Sequence, residues 1–234
     1  SGTARSWACC AAKQAIQAGA HFGIATQFWV WATLFRYLAE TQDTGEAEEP
    51  FVIRFIEHPN VDVNRAFPFQ EAARPLHLAA LYENVDWVIR SLIGARAEVN
   101  AVDQRGSQAM HFAAYHSRSY NVAVLLQLGG EQRPNHRGAT PLHKAMQVWS
   151  SELDPRRSVE QVRTVEQLCA AGATVNARDY NGTTPAMYAA NRGNDRILAL
   201  LVDRDANLTL QNYSGNTALH FALKMAETNF FYES

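Results

Sequence analysis

The stretch GATPLHKAM, Gly138 to Met146, is written again along the chain with small changes. GSQAMHFAA runs from Gly106 to Ala114, GTTPAMYAA from Gly182 to Ala190, and GNTALHFAL from Gly215 to Leu223. A weaker copy, ARPLHLAA, occupies Ala73 to Ala80. One slot of the alignment holds His77, His111, His143, Met187 and His220, at steps of 34, 32, 44 and 33 residues. A single copy carries little information. Five in register establish an internal repeat near 33 residues, with the long step carrying 11 more.

Each copy has a local physical logic. Thr140-Pro141 and Thr184-Pro185 place a hydroxyl at a helix N-cap and a proline at the first helical position, where no N–H is missed. Small pairs follow, Ala113-Ala114 and Ala189-Ala190, which favour helix and allow a neighbouring helix to approach. A second helix is predicted in NVAVLLQLGG from Asn121, TVEQLCAAGA from Thr164 and RILALLVDRDA from Arg196. Val122, Leu125 and Leu126 show its helical spacing. Gly94, Gly129 and Gly172 read as left-handed closures of these helices. The segments AEVNAVDQRG, ATVNARDYNG and ANLTLQNYSG read as short extended arms around turns, with Gly106, Gly182 and Gly215 supplying positive φ. The unit is hairpin turn, helix, loop, helix. It cannot bury its apolar side alone, so units must stack.

At these residues the chain resembles the ankyrin repeat family. The match rests on the Thr-Pro-Leu-His slot, the Ala-Ala pair, the Gly-Ala after the second helix and the Val-Asn before the turn, over about Phe51 to Leu223. The resemblance implies an all-α solenoid of about five to six helix-turn-helix units joined by β-hairpin-like turns. Departures are Arg74 in place of Thr, a missing turn glycine in that copy, and Gln108-Ala109 in place of Thr-Pro. The last copy, NTALHFALKMAETNFFYES, holds one helix and reads either as a terminal cap or, given Phe230, Phe231 and Tyr232 where a cap would be polar, as a truncated unit.

Two regions depart from the period. Ile24, Phe28, Trp31, Phe35 and Leu38 share one side of a predicted helix. EEPFVIRFIEHPNVDVN, from Glu48, then reads as a second helix with the Val-Asn arm. Residues 1–64 are therefore expected to form an N-terminal helical cap and a divergent first repeat, and 65–234 the repeats proper. The extra residues of the long step fall near 148–161, in VWSSELDPRRSVEQ. Pro155 disfavours a helix interior, so a longer first helix, a loop and a late second helix are expected there. The insertion reads either as a binding element or as tolerated drift.

Composition limits the function classes. Of 234 residues, 47% are hydrophobic and 19% charged, with net charge −2. That balance does not draw the chain to nucleic acid; the basic spots RSLIGAR and DPRRS read as solvated surface. Cys9, Cys10 and Cys169 do not suggest a disulfide framework and fit a reducing, cytoplasmic setting. Phe22 to Phe35 is apolar over 14 residues, short of the roughly 20 a membrane span needs. The opening Ser-Gly-Thr, without Met, reads as a cloning remnant or the start of an excised domain.

Eight histidines invite a metal hypothesis. Helices pack about 8–10 Å apart, whereas zinc holds nitrogen at about 2 Å, so histidines repeated one per unit cannot share one ion. They are expected to satisfy backbone groups between neighbours. Cys9-Cys10 with His21 is a possible thiol–imidazole pair without an evident third group. No C-x-x-C pair, phosphate-cradling glycine loop or G-x-S-x-G elbow occurs. The expectation is no enzyme, no cofactor and no metal.

Partners of the family are most often gripped in a concave groove lined by turn tips and first helices. In register, the tips hold Gln104, His136, Tyr180 and Tyr213, followed by Arg105, Arg137, Asn181 and Ser214. The first helices end at Leu81-Tyr82, Tyr115-His116, Gln147-Val148 and Asn191-Arg192, with Trp149 just beyond. Tyr, Trp and Arg bring large contact area with a polar handle. The candidate protein-binding set is Gln104, Arg105, Tyr115, His116, His136, Arg137, Trp149, Tyr180, Asn181, Arg192 and Tyr213. The competing reading is that tip tyrosines only pack along the turn row. The expected function is a monomeric, noncatalytic protein–protein interaction module of a larger intracellular protein, binding a protein or peptide. The alternatives are a regulatory or substrate-targeting domain of a multidomain enzyme whose catalytic part lies elsewhere, and an enzyme formed by residues 1–64 with the groove as substrate selector.

Overall fold

The computed structural model describes residues 27–28, 30–32, 34, 49–68, 71–83, 85–147 and 155–232. The Cys9-Cys10 and His21 pair, Ile24, Phe35, Leu38, Trp149 and the first half of the insertion lie outside the described residues.

The helices are α1 (Glu49–Ile56), α2 (Pro75–Ala79), α3 (Asp86–Gly94), α4 (Ala109–Tyr115), α5 (Ser119–Gln127), α6 (Pro141–Met146), α7 (Pro155–Ala170), α8 (Pro185–Asn191), α9 (Asp195–Val202) and α10 (Ala218–Tyr232). They form two layers. The first helices α2, α4, α6, α8 and α10 pack in file, and the second helices α1, α3, α5, α7 and α9 pack in a parallel file. Within a unit the two helices also touch: α2 on α3, α4 on α5, α6 on α7, α8 on α9. Among the described residues the only bridges are Phe67 with Ala73 and Val102 with Gln108, so the turn arms remain hairpin-like without forming a sheet.

The repeated letters do what their chemistry suggests. Pro75, Pro141 and Pro185 open α2, α6 and α8. Thr140 Oγ1 accepts from the His143 N–H at 3.4 Å, and Thr184 Oγ1 from the Met187 N–H at 3.4 Å. The small pairs Ala79-Ala80, Ala113-Ala114 and Ala189-Ala190 are buried where the first helices meet. Second helices contribute Val88, Ile89, Leu92, Val122, Leu125, Val165, Leu168, Ile197 and Leu201 to one continuous apolar interior. Each such side chain stabilises the fold by about 1.5–3 kcal/mol when fully buried. At the N-terminal end, helical Phe28, Trp31 and Leu34 close this interior over Val52, Phe55 and Phe67. Trp31 meets Phe55 edge-on at 4.7 Å and Phe28 meets Phe67 at 5.3 Å.

Polar side chains join one unit to the next in two repeated ways. His77, His111 and His143 accept a backbone N–H of their own unit at Nδ1, from Arg74, Gln108 and Thr140. That fixes the proton on Nε2, which donates to the following unit: to Ser107 O at 3.0 Å, Ala139 O at 3.0 Å and Thr183 O at 3.1 Å. Met187, in the same slot, keeps only the first contact, its sulfur accepting from Thr184 N–H at 3.5 Å. The Val-Asn arm provides the second joint. Asn64 donates to Arg96 O and accepts from Glu98 N–H; Asn100 does the same with Gly129 and Glu131, and Asn176 with Asp205 and Asn207.

Two expectations are corrected. Pro155 does not break a helix: it is the first residue of α7, which extends for 16 residues, while α6 stops at Met146. The insertion therefore lengthens the second helix, not the first. A proline suits a helix start because the N–H it lacks has no partner there. Gly94 ends α3 without adopting positive φ; Arg96, at φ 69°, takes the left-handed place that Gly129 and Gly172 take elsewhere. In the copy without a turn glycine, Glu71 and Ala72 adopt φ 53° and 58° instead.

Candidate functional site

The turn tips are built from the residue three before each tip glycine. Asp103 Oδ1 accepts from the N–H groups of Arg105 and Ser107, Asn135 Oδ1 from Arg137 and Ala139, Asp179 Oδ1 from Asn181 and Thr183, and Asn212 Oδ1 from Ser214 and Asn216. Each carboxylate or amide thus closes its own turn. The sequence reading missed these four residues. Their signal was present as Asp/Asn-x-x-Gly at every tip, three residues before Gly106, Gly138, Gly182 and Gly215.

Consecutive tips are bonded to one another through the backbone. Gln104 N–H donates to Glu71 O at 2.8 Å, His136 N–H to Arg105 O at 2.9 Å, Tyr180 N–H to Arg137 O at 2.7 Å and Tyr213 N–H to Asn181 O at 3.0 Å. The tip glycine is what allows this approach. A Cβ on Gly106, at φ +73°, would lie 2.6 Å from the His136 ring, and one on Gly182, at φ +72°, 3.0 Å from the Tyr213 ring. Seven expected site residues therefore stand in one file: Gln104, Arg105, His136, Arg137, Tyr180, Asn181 and Tyr213.

Their side chains remain on the surface. Tyr180 is 77% and Tyr213 74% exposed. Tyr213 is partly engaged in the row, since the Arg178 guanidinium sits 5.4 Å from its ring centre. Beneath the tips, first-helix residues add two polar groups that the sequence reading did not single out. Tyr188 OH donates to Asp179 Oδ2 at 2.8 Å, and burial, then this bond, pushes its pKa up to about 12. Lys144 is half-buried and donates to Gln147 Oε1 at 3.1 Å. Burial lowers its pKa, the Arg137 and Arg105 guanidiniums lower it further, and Asp103 opposes them. A hollow of about 350 Å³ lies between the last two tips and α8 and α10, lined by Asn181, Tyr188, Asn191, Tyr213 and Phe221 among others.

The remaining expected residues stand apart from this row. Tyr115 and His116 lie at the far end of α4, ring against ring at 5.1 Å. His116 opens onto a different cleft, beside the start of α7. Arg192 is the C-cap of α8. Among the described residues no group of three or more His, Cys, Asp or Glu side chains could hold a metal ion, and no helix is long and apolar enough to cross a membrane.

A family model for ankyrin repeats, in three copies, matches residues 76–153 and 157–231. The B-cell lymphoma 3 protein homolog of Mus musculus is 30% identical over 154 residues, which is 63% of this chain and 32% of that protein. Rabankyrin-5 of Homo sapiens is 26% identical over 148 residues, 62% of this chain and 13% of that protein. Transient receptor potential cation channel subfamily V member 6 of Rattus norvegicus is 29% identical over 169 residues, 67% of this chain and 21% of that protein. The chain spans about a third or less of each of these relatives.

Proposed function

The chain belongs to the ankyrin-repeat family, and from that premise we propose that its tip face grips one segment of a partner protein without catalysis. Ankyrin repeats are protein–protein interaction modules; the groove, the residues and the partner chemistry are our assignment. The observation that carries it is the backbone ladder through Gln104, His136, Tyr180 and Tyr213. It holds the tips in fixed relative positions before any partner arrives, while the side chains stay exposed. A preformed surface loses little conformational entropy on docking, so more of the contact energy becomes affinity.

The side chains indicate what the segment carries. Tyr180 and Tyr213 offer flat faces with a polar end, which suits an apolar or aromatic anchor. Arg105, Arg137 and Lys144 place positive charge in the middle of the face, so the segment carries carboxylates there. Arg105 also pairs with Glu71, which aims it along the row. The module serves as the recognition part of a longer protein.

The test is a partner identified by capture from lysate and mass spectrometry, then titrated calorimetrically. Tyr180→Ala with Tyr213→Ala is expected to weaken binding at least tenfold with the unfolding midpoint little changed. An unchanged dissociation constant overturns the assignment.

A further inference from the structure

The hollow of about 350 Å³ beneath the last two tips lies where the stack departs from its own pattern. At three other unit boundaries the slot histidine sends its Nε2–H across: His77 to Ser107 O, His111 to Ala139 O and His143 to Thr183 O. Here the slot holds Met187, whose sulfur has no proton to send. Met187 is buried beneath the hollow, packed with Ala190 and Ala218 in a small apolar cluster apart from the main interior.

Three aromatic rings reach the hollow from three elements: Tyr188 from α8, Phe221 from α10 and Tyr213 from the last tip. None of the three is fully buried. Two of them are held in place. Tyr188 OH donates to Asp179 Oδ2 at 2.8 Å, and its ring stands edge-on to His143 at 6.0 Å. Tyr213 is tied by its N–H to Asn181 O, and its ring lies against Gly182. The carboxamides of Asn181 and Asn191 also line the hollow and are unpaired among the described residues. A carboxamide carries a donor and an acceptor, so it matches the N–H and C=O of a peptide group.

Charge narrows the ligand further. Among the described residues no lining side chain is charged. A carboxylate entering the hollow would lose water without gaining a lining cation. A cation would meet the Arg178 guanidinium, which stands 5.4 Å from the centre of the Tyr213 ring. A neutral ring can instead pack edge-on or offset against the three aromatic side chains.

We propose that the hollow takes one uncharged aromatic side chain of the partner segment, with the peptide groups flanking that residue held by the carboxamides of Asn191 and Asn181. The inference rests on the tip face being the binding surface, and it fixes which residue of the partner is anchored and where. The volume stands near the lower end of the roughly 300–1,000 Å³ usual for ligand pockets, which suits one large side chain with its peptide groups.

The experiment is an NMR titration of the isotope-labelled chain with N-acetyl-tryptophanamide, which carries a peptide group on either side of its ring. N-acetyl-leucinamide, N-acetyl-argininamide and N-acetyl-glutamic acid amide are the controls. Saturable shifts are expected at the side-chain amides of Asn181 and Asn191 and at the backbone amides of Tyr213 and Phe221. The tryptophan probe is expected to bind at least fivefold more tightly than any control. Asn191→Tyr fills the hollow with the side chain that Tyr115 carries at the same register position of α4, half exposed there. It is expected to weaken the probe at least tenfold with the unfolding midpoint little changed. Asn191→Ala, which removes the carboxamide without filling the space, is expected to weaken it severalfold. Absence of saturation at these residues, equal binding of a control, or undiminished affinity in both Asn191 variants overturns the proposal. A captured partner weakened by Tyr180→Ala with Tyr213→Ala but not by Asn191→Tyr overturns this inference and leaves the tip face standing; a partner weakened by neither overturns both.

Discussion

His111 is 1% exposed and accepts at one ring nitrogen while donating at the other. A proton on Nδ1 would remove an acceptor from a buried N–H and place a charge in the interior. Burial accordingly lowers its pKa to about 4, and lowers those of His77 and His143. The unfolded chain, with histidine near 6.5, binds more protons than the folded chain between these values. Stability is therefore complete above pH 6.5 and is lost as pH falls toward 4. His111 alone accounts for about 2 kcal/mol between pH 7 and pH 5, on 1.36 kcal/mol for each pKa unit. Urea midpoints measured at the two values should fall accordingly, and His111→Gln should flatten the dependence. A midpoint that does not move between pH 7 and 5 contradicts the buried neutral ladder. The role of these histidines was legible from their spacing alone, because a one-per-unit residue type at a packing distance cannot gather on one ion. Met187 was legible only as an exception, and its sulfur shows what is lost: it has no proton to send to the next unit.

At the scale of the element, Thr-Pro starts were legible because hydroxyl and proline each suit one place in a helix. Pro155 was misread for a related reason. A proline is compatible with a first turn and incompatible with an interior, and the letter does not say where the turn begins; packing of α7 on α5, α6 and α9 decides that. Arg96 was misread because the neighbouring Gly94 offered a more obvious left-handed residue. The joint with Asn64 requires the left-handed carbonyl at position 96, two residues further on. That placement yields a prediction. Arg96 is exposed and strained at φ 69°, and a left-handed non-glycine residue costs about 1–2 kcal/mol. Arg96→Gly should raise stability by about 1 kcal/mol, since the flexibility glycine adds to the unfolded chain offsets part of the relief. Chemical denaturation checks it; a loss of stability would show that the arginine side chain contributes more than its backbone costs.

Over the whole molecule, each unit leaves a face that only its neighbour can cover. The apolar interior accordingly runs unbroken from Phe28 to Leu201, and the file of tips is its visible edge. The repeat period made this architecture readable in advance, together with seven of the tip residues. The division into two faces was not readable. Tyr115 and His116 align with the ends of other first helices, yet only the packing of α7 against α5 turns His116 toward a separate cleft. Nor did the letters reveal that the tips are bonded to one another, because those bonds run through the backbone and are indifferent to side chain. That ladder is the basis for treating the tip face as a preformed binding surface. Amide hydrogen exchange tests it directly at His136 and Tyr180, whose side chains are exposed but whose N–H groups donate to the preceding unit. Both amides are predicted to exchange at least about 100-fold slower than an unstructured chain, as bonded native amides do. Exchange at the unstructured rate at either position would contradict a rigid row of tips.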